Sequence, residues 1–181
     1  MPDGVDPYPR CVLLNGVSSS GKTSLAKALQ ERLPIVFLNF SIDSILYALP
    51  PSDLTAMIRG TPILRGEYHY GRLVDGFHAA IVGLLASGNR LIVDNALTRP
   101  EWKAGFDAAV QGHRTLRIGV TCDLQEARRR ELERGDRAVG TVDYEWPLVH
   151  DGMNYDLVVD TTMKKPELIT NEIIMSLADR S

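Results

Sequence analysis

Short apolar runs alternate with helical periodicity along the chain. Five of these runs are continuously apolar rather than alternating, which is typical of parallel strands buried on both faces of a sheet. The predicted strands are CVLLN (11–15), IVFLNF (35–40), RLIVDN (90–95), LRIGVTC (116–122) and YDLVVD (155–160).

Helices are predicted between the strands, where apolar residues recur at intervals of three or four. The first follows from Leu25, Leu29 and Leu33, and Pro34 ends it. A second helix is predicted from Leu73, Phe77, Ile81 and Leu84, and Ser87-Gly88 ends it. A third is predicted from Trp102, Phe106 and Val110, after a capping box formed by Thr98 and Glu101. The last is predicted from Ile169, Ile173 and Leu177. This alternation predicts an α/β three-layer sandwich with right-handed crossovers.

The length and charge of the chain limit the number of domains and the class of protein that it can form. The 181 residues are enough for one domain, 1–181, with a single core. With 20 basic and 23 acidic residues the formal net charge is -3, which argues against a general binder of nucleic acid or membrane surfaces. The first ten residues lack the apolar core of a signal peptide, and no apolar run reaches membrane-spanning length. We expect a cytoplasmic protein in which Cys11 and Cys122 are buried and reduced.

Residues 16–23, GVSSSGKT, match the whole G-x-x-x-x-G-K-[ST] pattern of a phosphate-binding loop, or P-loop. The segment follows a predicted buried strand and precedes an amphipathic helix, a context that an accidental Gly/Ser-rich turn would lack. Glycines let backbone N–H groups point at phosphate oxygens beside the helix N-terminus. The predicted nucleotide-binding residues are Gly16, Val17, Ser18, Ser19, Ser20, Gly21, Lys22, Thr23 and Ser24.

Three residues have predicted roles around the phosphates. Lys22 is placed to bridge the β- and γ-phosphates of ATP, and the Thr23 hydroxyl is placed to bind Mg²⁺. Asp94 ends the run LIVD at the carboxyl end of a strand, where open α/β sheets bind their ligands. We expect Asp94 to hold the same ion, although an ordinary acidic residue at a strand end would give the same pattern.

Asp43 follows the second predicted strand in the segment FSIDS. Two interpretations stay open for it. The commoner one is a helix N-cap before Ile45 and Leu46. The other is a carboxylate in the phosphate crevice that orients an acceptor hydroxyl in line with the γ-phosphorus.

The segment 126–137, EARRRELERGDR, predicts a helix that ends at its Gly-Asp pair. A charge run is normally a solvated helix face, and we expect Arg128 to Arg130 to be partly so. Arg134 and Arg137 flank the helix end. Guanidinium groups on a lid there, residues 128–141, would suit the charge that spreads over a transferring phosphoryl group.

With these parts the sequence resembles chloramphenicol phosphotransferase and its relatives, P-loop kinases similar to shikimate and nucleoside-monophosphate kinases. The matching segments are LLNGVSSSGKTS, FSIDS, LIVDN, IGVTCD with the arginine-rich helix, ERGDR and VHDGMNYDLVVDTT. The resemblance implies sheet order 2-3-1-4-5, Asp43 as catalytic base, Arg134 and Arg137 as lid arginines, and a homo-oligomer. The implied reaction moves the γ-phosphoryl of ATP to a hydroxyl of a small molecule, in the type member chloramphenicol, with a role in antibiotic resistance.

The sequence departs from the family pattern in three places. Val17 stands where a glycine is expected, Asn95 stands where a second acid is expected, and residues 50–72 do not match visibly. Residues 50–72 are longer than a plain connection and are the predicted acceptor segment. Side chains that could hold a hydroxylated aromatic molecule there are Tyr68, His69, Tyr70 and Arg72.

Two other functions stay open at this point. One is a toxin-type sugar-nucleotide kinase, which would travel with an antitoxin partner. The other is a nucleotide-binding regulatory or ATPase module, which would have no acceptor site and would use Asp43 only as a helix cap.

Overall fold

Five parallel strands form the sheet at the centre of the computed structural model, which describes residues 7–178. The strands are β1 Cys11–Asn15, β2 Leu38–Ser41, β3 Leu91–Asn95, β4 Thr115–Thr121 and β5 Leu157–Asp160. Their order is β2-β3-β1-β4-β5, which confirms the predicted order. The two ends of the predicted 1–181 domain, and residues 1–6 of the segment used to exclude a signal peptide, lie outside the described residues.

Helices connect the strands and cover both faces of the sheet. Within residues 7–178 they are α1 Lys22–Arg32, α2 Ile42–Leu46, α3 Pro51–Ile58, α4 Tyr70–Ala86, α5 Pro100–Ala109, α6 Leu124–Arg134, α7 Thr141–Glu145 and α8 Pro166–Ala178. None of the helices in this part of the chain has the length and apolar character needed to cross a membrane.

The central strand β1 divides its side chains between two cores. Val12 and Leu14 pack into the core that contains α1 and α8, and Cys11 and Leu13 pack into the core that contains α4 and α5. Strand side chains alternate between the two faces, so a strand that is apolar at every position must be covered on both. The three-layer prediction is therefore confirmed. Cys11 and Cys122 are buried and free, as expected.

The prediction that all five strands are buried on both faces is wrong for the edge strands. Leu38 in β2 is 38% exposed and Val158 in β5 is 58% exposed. An edge strand pairs on one side only, and the helices here cover it incompletely. The second strand also begins at Leu38 rather than at residue 35, because Val36, 79% exposed, lies outside the sheet.

The capping box predicted from Thr98 and Glu101 is also wrong. Arg99 is the N-cap residue of α5, and its side chain makes no capping hydrogen bond. Pro100 occupies the first helical position and pushes the residue before it into the extended region, where Arg99 has φ -117° and ψ 143°. Proline, rather than a capping side chain, sets the start of this helix.

The segment 50–72 is partly helical. It contains α3, and α4 begins within it at Tyr70. Between these helices the chain folds back, because Arg65 Nε donates to Asp53 Oδ2 on α3 at 2.6 Å. The unusual length of this connection is therefore explained by an extra helix.

The segment between α7 and β5 packs an aromatic ring against the backbone of β4. A Cβ atom at Gly119 would come within 2.8 Å of the Tyr155 ring. That ring cannot move away freely, because the Tyr155 hydroxyl accepts from Asn15 Nδ2 at 2.7 Å and lies 2.8 Å from Nδ1 of His150. Glycine is required in β4 because the ring approaches so closely.

We expect Gly119→Ala to lower the free energy of unfolding by about 1–3 kcal/mol, the usual cost of overpacking a fixed site. Gly83→Ala is the matched control, because Gly83 lies on the exposed side of α4 with open space around it. The control should stabilise the protein by about 0.5–1 kcal/mol, since alanine is the better helix former. Urea unfolding of both variants measures the difference. Equal stability of the two would contradict the packing assigned to Tyr155.

Candidate active site

The P-loop joins β1 to α1 and needs both of its glycines. Gly21 has φ 86°, a conformation that favours glycine. At Gly16 a Cβ atom would lie 2.2 Å from the carbonyl oxygen of Val120. Val17, which replaces an expected glycine, has a packing role: its buried side chain joins a small core with Cys122, Ala127, Val142 and Val149.

Lys22 is buried at the start of α1, and its ammonium group bonds within the loop. Nζ donates to the carbonyl oxygen of Val17 at 2.7 Å and lies 4.0 Å from Asp94 Oδ1. Burial lowers the pKa of Lys22, and the carboxylates of Asp94 and Glu145 oppose this shift. A buried cation in a loop of this pattern is suited to bind an anion such as phosphate.

Thr23 and Asp94 lie side by side because β1 and β3 are parallel neighbours. Leu14 pairs with Asp94 in the sheet register, and the Thr23 hydroxyl donates to Asp94 Oδ2 at 2.6 Å. No cluster of three or more His, Cys, Asp or Glu residues that could bind a metal occurs in residues 7–178. The oxygen pair of Thr23 and Asp94 nonetheless fits Mg²⁺, which prefers oxygen ligands and binds with one or two protein groups plus substrate phosphates.

Asp43 does not cap its helix. Ser41 is the N-cap residue of α2, and Asp43 is the second residue of the helix. The Asp43 carboxylate instead forms an ion pair with Arg137, which lies beyond α6. Burial lowers the pKa of Arg137, but the carboxylates of Asp43, Glu145 and Asp136 more than offset this and raise it above its ordinary value.

Arg134 and Arg137 both line the cleft above the P-loop. Arg134 bonds Asp136 at 2.9 Å in the turn after α6. Arg130, which the sequence analysis counted with the solvated residues, lines the cleft too and donates to the carbonyl oxygen of Thr161 at 2.9 Å. Arg130 and Arg134 are four residues apart, and this spacing indicates that both side chains lie on one face of the helix.

The other two arginines of α6 do not line the cleft. Arg128 bonds Asp143, and Arg129 bonds Glu126 and Glu133 on the helix surface. The expectation of a solvated helix face therefore describes Arg128 and Arg129, but not Arg130.

The cleft has a volume of about 830 Å³ and continues beyond the P-loop past Asp43. Asn95, which stands in place of an expected acid, lines it, and its Oδ1 accepts from the N–H of Ala96 at 2.8 Å. Of the side chains predicted in the acceptor segment, Tyr70 lines the cleft. Those that do not line it are Tyr68, His69 and Arg72.

An aromatic wall closes the cleft on the side of Asp43. The Tyr70 and Trp102 rings lie 5.7 Å apart, and the Arg99 guanidinium lies 4.9 Å from the centre of the Trp102 ring. Burial raises the pKa of Tyr70 to about 12, so its hydroxyl stays neutral at physiological pH. The apolar spacing of Trp102 predicts a helix, and its partly buried side chain packs against the core that contains α4 and α5 while it also lines the cleft. The position of Trp102 and Arg99 on the cleft depends on the tertiary structure, so no sequence pattern signals it.

Glu145, the last residue of α7, is a further cleft residue that the sequence analysis missed. Its Oε2 accepts from the backbone N–H of Ser18 in the P-loop at 2.5 Å. Burial raises the pKa of Glu145, while Lys22 and the Ser18 N–H oppose the shift. No motif surrounds Glu145, so the sequence carried no signal for it.

Comparison with known proteins shows which family this chain resembles over most of its length. Residues 9–178 match the family described as chloramphenicol phosphotransferase-like protein. The chain belongs to that family. A protein named as a candidate O-phosphotransferase occurs in Mycobacterium tuberculosis strain H37Rv, and it is 31% identical over 183 residues, which cover 92% of this chain and 81% of the relative.

Solved structures share the fold at low sequence identity. The adenosine 5′-phosphosulfate (APS) kinase CysC of Mycobacterium tuberculosis, in complex with AMPPNP and APS, has a TM-score of 0.66 at 18% identity and covers 96% of this chain and 99% of its own. Shikimate kinase of Acinetobacter baumannii has a TM-score of 0.63 at 14% identity and covers 93% of each chain. These neighbours confirm a P-loop kinase fold. The family match and the O-phosphotransferase relative support a small-molecule kinase.

The two lid arginines should differ in their effect on phosphoryl transfer. Arg137→Ala removes the partner of Asp43 as well as a positive charge, so we expect kcat to fall by about a hundredfold or more, whereas Arg134→Ala should lower it by about tenfold. Both changes should affect kcat more than nucleotide affinity. Steady-state kinetics on an accepted substrate measures this.

Arg128→Ala is the matched control, because Arg128 lies on the same helix but pairs with Asp143 outside the cleft. It should leave kcat within about twofold of the wild type. A control that loses as much kcat as Arg137→Ala would mean that these arginines act on the stability of α6.

Proposed function

We propose that the protein transfers the γ-phosphoryl group of ATP to a hydroxyl group of a small molecule. The observation that carries the proposal is the position of Asp43. Its carboxylate lines the same cleft as Lys22, Thr23 and Asp94, and it pairs with Arg137 of the predicted lid. A carboxylate held between a P-loop and an aromatic wall is placed to receive a proton from a bound hydroxyl group.

The reaction follows from this arrangement. The acceptor hydroxyl oxygen forms a bond to the γ-phosphorus while the bond from that phosphorus to the β–γ bridging oxygen breaks, and ADP leaves. The hydroxyl proton passes to a carboxylate oxygen of Asp43. Lys22 and the lid arginines Arg134 and Arg137 stabilise the charge on the phosphoryl oxygens, which is the main protein contribution to such a transfer.

Thr23 and Asp94 are the residues that would hold Mg²⁺. The ion, when bound, neutralises negative charge on the β- and γ-phosphates. The chain's own contribution is to hold the Thr23 hydroxyl, in the first turn of α1, 2.6 Å from the Asp94 carboxylate near the carboxyl end of β3. The nucleotide would lie along the P-loop residues Gly16 to Ser24.

The acceptor is proposed to be a hydroxylated molecule with an aromatic ring, such as chloramphenicol. The support lies in the rings of Tyr70 and Trp102, together with the apolar side chain of Ile42, which line the cleft beside Asp43. Offset or tilted aromatic contacts favour a planar ring in such a space. The description of the matching family supports the same choice of acceptor. The proposal includes a role in antibiotic inactivation, action in the cytoplasm and assembly as a homo-oligomer.

Asp43→Asn tests the proposal. The amide keeps the shape of the side chain and can still accept from Arg137, but it cannot take a proton. We expect a folded variant that binds ATP normally and loses phosphoryl transfer by about a hundredfold or more, the usual contribution of a positioned general base. The measurements are kcat with chloramphenicol and a panel of hydroxylated aromatic molecules, ATP affinity and melting temperature.

Asp53→Asn is the matched control, because Asp53 is also an acid in the first turn of a short helix and also pairs with an arginine, Arg65, but does not line the cleft. It should keep its kcat. Wild-type turnover by a folded Asp43→Asn enzyme would exclude Asp43 as the base, and absence of transfer to every acceptor by the wild type would count against the proposed reaction.

A further inference from the structure

Two of the donors that a P-loop offers to phosphate have internal partners in this protein. The Ser18 N–H donates to the carboxylate of Glu145, and Lys22 Nζ donates to the carbonyl oxygen of Val17. Backbone N–H groups and the lysine of such a loop bind the phosphates of a nucleotide. A carboxylate therefore occupies part of the anion site of the loop.

The groups around Glu145 show which end of the anion site it occupies. Its carboxylate accepts from the N–H of Ser18, and it lines the same cleft as Lys22, Asp43 and Arg137. Burial raises the pKa of Glu145, and Lys22 and Arg137 both oppose this shift. Glu145 thus lies at the Ser18 end of the loop, in the cleft that holds the ion pair of Asp43 and Arg137.

The γ-phosphoryl group must occupy that same side. If Asp43 takes the proton of the acceptor hydroxyl, the phosphorus under attack lies between Asp43 and Lys22, while the β-phosphate lies further along the loop, toward Gly21 and the start of α1. The Glu145 carboxylate competes with the γ-phosphate for the Ser18 N–H and repels it by like charge. The β-phosphate neither competes for the Ser18 N–H nor is repelled directly by the Glu145 carboxylate.

We propose that Glu145 is a specificity-determining residue that occupies the position of the γ-phosphoryl group beside Ser18 and lowers the affinity for a nucleoside triphosphate relative to a diphosphate. The inference rests on the proposed function, because it takes the position of the γ-phosphate from Asp43. Binding of a triphosphate requires Glu145 to move away or to take up a proton, and its raised pKa makes proton uptake easier.

Displacement of Glu145 also acts on the lid, because the helix that carries Glu145 is hydrogen-bonded to α6. Glu145 ends α7, and the first turn of α7 is tied to α6 by Glu131, whose carboxylate accepts from the N–H groups of Gly140 and Val142 at 2.9 Å each. A shift of α7 away from the P-loop therefore acts on the helix that carries Arg130 and Arg134. Triphosphate binding and movement of the lid thus occur together, in one conformational change.

Glu145→Gln tests the inference through binding alone. Glutamine keeps the shape of the side chain and removes its charge, so we expect the Kd for AMPPNP with Mg²⁺ to fall by about tenfold or more and the Kd for ADP with Mg²⁺ to stay within about twofold. Isothermal titration calorimetry of both nucleotides, without any acceptor, gives the ratio. Asp143→Asn is the matched control, because Asp143 is a charged residue of the same helix that pairs with Arg128 outside the cleft, and it should change neither Kd.

Several outcomes separate the inference from its alternatives. Equal tightening of both nucleotides, or no tightening of AMPPNP, would overturn it while leaving the proposed transfer reaction intact. A wild-type protein that binds neither nucleotide would overturn both. If Glu145→Gln melts well below the wild type, Glu145→Ala is measured instead, and it must give the same selective gain in AMPPNP affinity for the inference to stand.

Discussion

The side-chain amide of Asn15 joins the three segments on which the cleft depends. Asn15 is the fully buried last residue of β1, directly before the P-loop. Its nitrogen donates to the carbonyl oxygen of Val149 and to the Tyr155 hydroxyl, and its oxygen accepts from the N–H of Leu97, which follows the segment with Asp94. Buried polar groups are costly when they lack partners, so this amide fixes the P-loop, the end of β3 and the segment after α7 relative to one another.

The parts of this arrangement that follow from strand order could be predicted from the sequence. A P-loop after one buried strand and an aspartate at the end of another must meet if the strands are parallel neighbours, and Thr23 and Asp94 do meet. Asp43 could be assigned to the same crevice but not to a role, because a helix cap and a cleft carboxylate have the same local sequence. Only the three-dimensional position of Arg137 separates them.

Other cleft residues could not be predicted, because their roles arise from contacts between distant segments. Glu145 is 127 positions from Ser18 along the chain, and no spacing rule connects them. Trp102 satisfies a helical apolar pattern whether it faces a core or a cleft. Exposure of Val158 likewise depends on how far the helices extend over an edge strand, which periodicity within the strand does not record.

Three cations of the cleft have internal acceptors in this structure. Lys22 bonds a loop carbonyl, Arg134 bonds Asp136, and Arg137 bonds Asp43. Nucleotide binding is therefore an exchange of partners, and its net gain is smaller than the number of phosphate contacts suggests. Arg137 is suited to such an exchange because a guanidinium group has five N–H donors in a planar fork. It can keep Asp43 oriented with one donor while another reaches a phosphoryl group, so the same side chain would position the proposed base and stabilise the charge that develops.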